Sequence, residues 1–232
     1  MRLDEADRLL EPGYLDLESG YRRLDDGSLL VASRTPMVAC KGRMIDFWFG
    51  FVRTTKHYKW WHPRDHVWCD WVGERGTGRY VDGTHRVHEY IGGELMKLKI
   101  HFRDPSGYLD VSRFGESGVS TAVCARVGSL DAPVWAGHLI HLVRDTDYGC
   151  EMRSRFWLGD TDPPEMAATR EARTQLFPDR TSIATRRWPT SRSSFQTSTR
   201  ERHAGPRSRS ASSKRRSHGA PPERRAAEGA TP

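Results

Sequence analysis

Positions 57–66 read His57, Tyr58, Lys59, Trp60, Trp61, His62, Pro63, Arg64, Asp65, His66, with Trp68 and Trp71 just beyond. Three imidazoles, a phenol and a carboxylate this close together can ligate a divalent ion or move protons near neutral pH. The surrounding tryptophans suit a flat organic ligand and shield it from water. The same composition also describes a tryptophan-rich core with histidines at its rim, and local composition alone does not separate the two.

Two further segments add to this set. In residues 84–90 strand alternation puts His85, Val87 and Glu89 on one face and Arg86, His88 and Tyr90 on the other. If Val87 faces a core, Glu89 faces it too, and a buried carboxylate needs a cation or a metal to stay charged. Leu139, His141 and Val143 share a face by the same rule, which turns His141 inward and His138 outward. Arg153 and Arg155 alternate along a strand-like stretch and could clamp an anion, although a solvated face is the default. Gly73, Gly76 and Gly78 read as a turn, because no buried strand precedes them and no helical pattern follows. Neither G-x-S-x-G nor H-E-x-x-H occurs.

The elements that must position these residues are mostly strands. Residues 24–34 read as a turn into a strand, with Asp26-Gly27 supplying the turn. Residues 42–52 are apolar at helical spacing. Strand-like stretches follow at 84–92, 95–104, 120–129, 137–145 and 149–159, the last two joined by a hairpin loop at 145–149. The class expected is α+β with an antiparallel sheet.

The chain has 232 residues and a formal charge of +7, which first suggests a nucleic-acid binder. The charge is unevenly placed. Residues 180–232 hold 13 Lys and Arg against Glu201, Glu223 and Glu228, a net of +10, so residues 1–179 carry −3. From Pro189 onward there is no Leu, Ile, Val, Met or Tyr, so a disordered Arg/Ser/Pro-rich tail is expected after a folded unit spanning 1–179. The body shows no basic face and no RNA-binding motif, so nucleic acid is not the expected partner. Cys40, Cys69, Cys124 and Cys150 form no C-x-x-C pair and suit reduced thiols. Charges fill the N-terminus where a signal peptide needs an apolar run, and no run is long enough to span a bilayer. A cytoplasmic protein without a membrane partner is expected.

The stretches at 57–68, 84–93, 100–108 and 137–160, with residues 13–35 near the start, resemble the 2,4-diacetylphloroglucinol hydrolase family, of which phloretin hydrolase is a relative. The resemblance covers roughly residues 12–165. It implies a zinc-dependent hydrolase that cleaves the C–C bond between a phenolic ring and an acyl group, with a small aromatic ketone as substrate. The implied fold is a helix-grip, Bet v 1-like one, in which a curved antiparallel sheet wraps a long C-terminal helix, and a homodimer is the assembly considered. By motif position His66 and Glu89 correspond to zinc ligands, with His62 as the alternative to His66. Tyr58, His62 and His141 correspond to residues that handle protons and the phenolic oxygens. Phe156 stands where relatives have a tyrosine.

One part of the family pattern is missing. The resemblance implies two more zinc ligands in a C-terminal H-x-x-x-E segment, whose spacing puts both on one helix face. No such pair follows residue 165. Read from the third base of each codon, residues 182–200 can spell a segment beginning His-Cys-His-Glu-Glu, with that spacing. The expectation is a frameshifted tail, a C-terminal helix lost to it, and a product that is poorly soluble and weak or inactive as a hydrolase. A non-catalytic binder of aromatic molecules on the same fold is the competing reading.

Overall fold

The computed structural model describes residues 1–73, 77–167 and 169–176. Eight strands form one sheet: β1 (Gly20–Arg23), β2 (Leu29–Val38), β3 (His66–Val72), β4 (Thr84–Ile91), β5 (Glu94–Arg103), β6 (Val119–Ser129), β7 (Trp135–Thr146) and β8 (Gly149–Asp162). Their order is β1-β2-β8-β7-β6-β5-β4-β3, and every neighbouring pair is antiparallel. This is the curved α+β architecture expected from the sequence. The tail expected at 180–232 lies outside the described residues.

Two helices, α1 (Gly42–Phe51) and α2 (Thr55–Trp61), connect β2 to β3. A third, α3 (Arg170–Leu176), follows β8. At Gly42, the first residue of α1, a Cβ would collide with the Ser120 side chain on β6, so glycine permits this close approach. Thr54 caps α2, its side chain accepting from the His57 amide at 3.3 Å. Pro63 follows immediately and prevents the helix from continuing.

The alternation of the strands divides the core into two layers. On one face α1 and α2 bury Ile45, Trp48, Tyr58 and Trp61 against Cys69, Val87, Val143 and Met152. On the other, the 3-10 helix Leu3–Leu10 buries Ala6, Leu9 and Leu10 against Leu30, Cys124, Ile140, Leu142 and Trp157. We call these the helix face and the strap face. Covering both faces explains why β6, β7 and β8 are almost wholly apolar or buried along their length. All four cysteines are buried thiols.

A candidate metal and proton-transfer site on the helix face

The chemistry-bearing segment becomes α2, a four-residue turn and the start of β3. Helical spacing points Tyr58 and Trp61 inward together, and both are buried. Beyond the turn, His66 pairs with Glu89 of β4, and the register slips between His66 and Trp68. That bulge decides the site. Strict alternation from Cys69 and Trp71 would put His66 on the opposite face, and the extra residue returns it to the helix face.

The result is a compact group. Tyr58 Oη donates to Glu89 Oε2 at 2.7 Å. The His66 ring stacks on Tyr58 at 3.7 Å, with planes 9° apart. His66 Nδ1 lies 2.9 Å from the Tyr58 carbonyl oxygen, which can only accept, so the ring proton sits on Nδ1. Nε2 therefore presents a lone pair, 3.5 Å from Glu89 Oε2. Burial, then the neighbouring His62, lower the His66 pKa to about 4, so the ring is neutral at pH 7. Burial, Glu89's charge and its hydrogen bond raise the Tyr58 pKa well above its ordinary value, so the phenol keeps its proton.

Two acceptors thus face each other across a gap too long for a hydrogen bond. A cation between them would satisfy both. Ligand distances near 2.0–2.2 Å in a tetrahedral zinc site imply a nitrogen–oxygen span of about 3.3 Å, close to the observed 3.5 Å. His66 Nε2 and Glu89 Oε2 therefore fit as two ligands of a divalent ion. The Nδ1 bond to a backbone carbonyl is the kind of support that metal-bound histidines use. Among the described residues there is no group of three or more His, Cys, Asp and Glu side chains arranged to hold a metal.

The other candidate residues take separate places. His62 ends α2 with its ring 5.9 Å from that of His66. Its Nδ1 accepts from the Asp65 amide at 3.1 Å, and the Asp65 carboxylate lies 3.2 Å from the same nitrogen. His141 lies on β7, where Nδ1 meets Ser154 Oγ at 2.8 Å and the ring stacks on Phe49 and meets Phe156 edge-on. Burial alone lowers the His141 pKa to about 4. Phe49 also touches Trp61, so one aromatic ring bridges His141 and α2. Tyr58, His66 and Glu89 are thus brought into contact, His62 stands beside them, and His141 forms a second polar point.

One residue of this neighbourhood was not singled out as a site residue. His85 stacks on Trp71 at 4.5 Å and meets Tyr58 edge-on at 5.3 Å. It is 5% exposed, and its Nε2 has no hydrogen-bond partner among the described residues. The available signal was the alternation that already placed it beside Val87 and Glu89. Along β5, Met96 pairs with Glu89, and Leu98 and Ile100 share its face. Met96 is exposed, whereas Leu98 and Ile100 are half-buried, which makes an apolar border for the polar group.

The family model "DAPG hydrolase PhiG domain" matches residues 1–188. A 2,4-diacetylphloroglucinol hydrolase of Pseudomonas protegens is 29% identical over 168 residues, which is 68% of this chain and 55% of that protein. A phloretin hydrolase of Eubacterium ramulus is 29% identical over 151 residues, 60% of this chain and 54% of that one. The chain thus spans a little over half the length of these curated relatives. Among solved structures, ginseng major latex-like protein 151 from Panax ginseng aligns with a TM-score of 0.39 at 14% identity, over 57% of this chain and 79% of its own.

Proposed function

The chain belongs to the DAPG hydrolase family, matched over residues 1–188, and on that premise we propose that its helix-face site hydrolyses the C–C bond joining a phenolic ring to an acyl carbonyl. Water adds to the ketone carbon, the ring–acyl bond breaks, the acyl part leaves as a carboxylic acid and the ring carbon takes a proton. The observation that carries this reading is the pair of acceptors, His66 Nε2 and Glu89 Oε2, 3.5 Å apart.

We propose zinc as the ion between them. When bound, zinc would polarise the ketone and lower the pKa of a bound water. The side chains do the rest. Glu89 takes the Tyr58 hydrogen bond, which fixes the carboxylate. Tyr58, held neutral by burial, gives the hydrogen bond of its single phenolic proton to Glu89 and so acts as the positioning residue for that carboxylate. His62, oriented by Asp65, is placed to exchange a proton with the ring carbon. His141 and its Ser154 partner bind a phenolic hydroxyl at the far end. The Met96, Leu98 and Ile100 border holds the ring and keeps out water.

The test is to load the full chain with zinc, measure bound metal, and follow carboxylic acid release from an acylphloroglucinol and from phloretin. Zinc uptake lost in Glu89→Gln together with turnover of either ketone supports the reading. Tight binding of the ketone without zinc and without turnover replaces it with a carrier of aromatic molecules. With only His66 and Glu89 as ligands among the described residues, we propose that zinc affinity and turnover of this 232-residue chain are low. A frameshift within codons 178–200 is the proposed cause. DNA whose shifted frame lacks His-x-x-x-Glu at residue 182 removes that explanation.

A further inference from the structure

The strap face carries a buried charge imbalance that the hydrolase reading does not use. Arg153 and Arg155 are 1% and 0% exposed, and they share one carboxylate, Glu18. Arg153 binds Glu18 through two nitrogens at 3.0 and 2.5 Å, and Arg155 reaches it at 2.8 Å. Arg144 joins the group by donating to the Leu9 carbonyl, as Arg153 does. The neighbouring Glu151 pairs with Arg34 and accepts from Tyr14. The two fully buried guanidiniums thus share one carboxylate, a surplus of one positive charge, while Arg144 is half-buried and Arg34 is exposed. Arginine does not shed its proton to relieve this, and burying an unmatched charge is costly.

The surplus borders a pocket. Arg155 lines it, together with Arg8 and Arg22 at the surface, the apolar side chains of Leu15 and Leu17, and Asp16 as the one acid among these. Among the described residues Arg155 Nε, a buried atom, has no hydrogen-bond partner. Asp16 offsets one charge of the rim, while Arg8 and Arg22 add two. An anion in this pocket would lie among three arginines and one acid.

We propose that the pocket between the N-terminal strap and β8 is a binding site for a small oxoanion, a carboxylate or phosphate. The planar guanidinium matches either group, and the leucines favour an anion with a short apolar tail. The site lies on the face of the sheet opposite Tyr58, His66 and Glu89, so its occupancy is independent of the metal there.

Thermal melting of the full chain in sodium acetate, sodium phosphate and sodium chloride at matched ionic strength tests this. A saturable rise in Tm with acetate or phosphate beyond that in chloride supports the site, and the more effective salt identifies the ligand class. Equal responses in all three salts overturn it. Arg155→Gln should abolish the rise, but its burial can compromise folding, so the exposed pair supplies a second variant. Arg8→Glu with Arg22→Glu should weaken the apparent affinity about tenfold, the effect of reversing two rim charges. It should leave Tm in chloride unchanged. Unaltered affinity in that folded variant overturns the proposal.

Discussion

The two faces of the sheet are built from alternate residues of the same strands and have opposite electrostatic needs. On the helix face, Tyr58 donates to Glu89, whose carboxylate stands 3.5 Å from the His66 ring as a second acceptor. On the strap face, Arg153 and Arg155 bring donors together around Glu18, and Arg144 donates to the Leu9 carbonyl beside them. Ser154 lies between the two arginines in sequence and points the other way, to His141. One strand therefore serves both environments, and a one-residue change of register would exchange them. Alternation lets a thin sheet hold two polar groups that do not share a side chain.

The largest expected effect comes from emptying the strap face of its anion. Glu18→Ala leaves two buried guanidiniums unmatched and should cost about 3–5 kcal/mol in chemical denaturation. A loss under 1 kcal/mol would mean that the two faces differ less than their charges suggest. Next is Glu89→Gln, which should keep the fold while lowering zinc affinity and turnover by at least about a hundredfold. Metal content and product release measure it, and wild-type zinc binding would remove Glu89 from the site.

The faces should also fail at different acidities. The folded His141 pKa, lowered by burial to about 4, lies below its ordinary 6.5. The unfolded chain therefore binds that proton first as pH falls, so stability present above pH 6.5 is lost toward pH 4, by up to about 1.4 kcal/mol per pH unit. His141→Gln should flatten that part of the profile. Glu18 titrates lower, because its bonds to Arg153 and Arg155 outweigh burial and hold its pKa at about 2. Its contribution is present above pH 4.5 and declines as pH falls toward 2. A single acid transition unmoved by either substitution would erase the distinction. The smallest effect is expected for Ser154→Ala, which loses one hydrogen bond worth about 1 kcal/mol and leaves the anion response of the strap face unaltered.

Much of this was legible in the residues. The alternation around Val87 put His85 and Glu89 on a common face, and Val87 is fully buried. The apolar periodicity of 42–52 marked α1, and the strand stretches from 84 to 159 match β4 to β8, with 84–92 and 95–104 each running one residue past its strand. Three things were not legible. Arg153 and Arg155 looked like a solvated edge, because their burial depends on a strap over a hundred residues away in sequence. His85 was visible on its face but not as a neighbour of Tyr58, which requires α2 to pack on β4. The short β1 carried no strand pattern of its own and forms by pairing with β2.

The sequence by itself determined the family, the antiparallel strands and the residue types that can hold a metal, because period-two and helical patterns are local and written into neighbouring residues. It also determined the division of charge between residues 1–179 and 180–232. Only the tertiary structure decided which of those residues meet. The bulge after His66 turns that ring toward Glu89 against the alternation of its own strand. The strap closes over the arginines of β8. Both outcomes depend on packing between segments far apart in the chain, and no local pattern encodes such a contact.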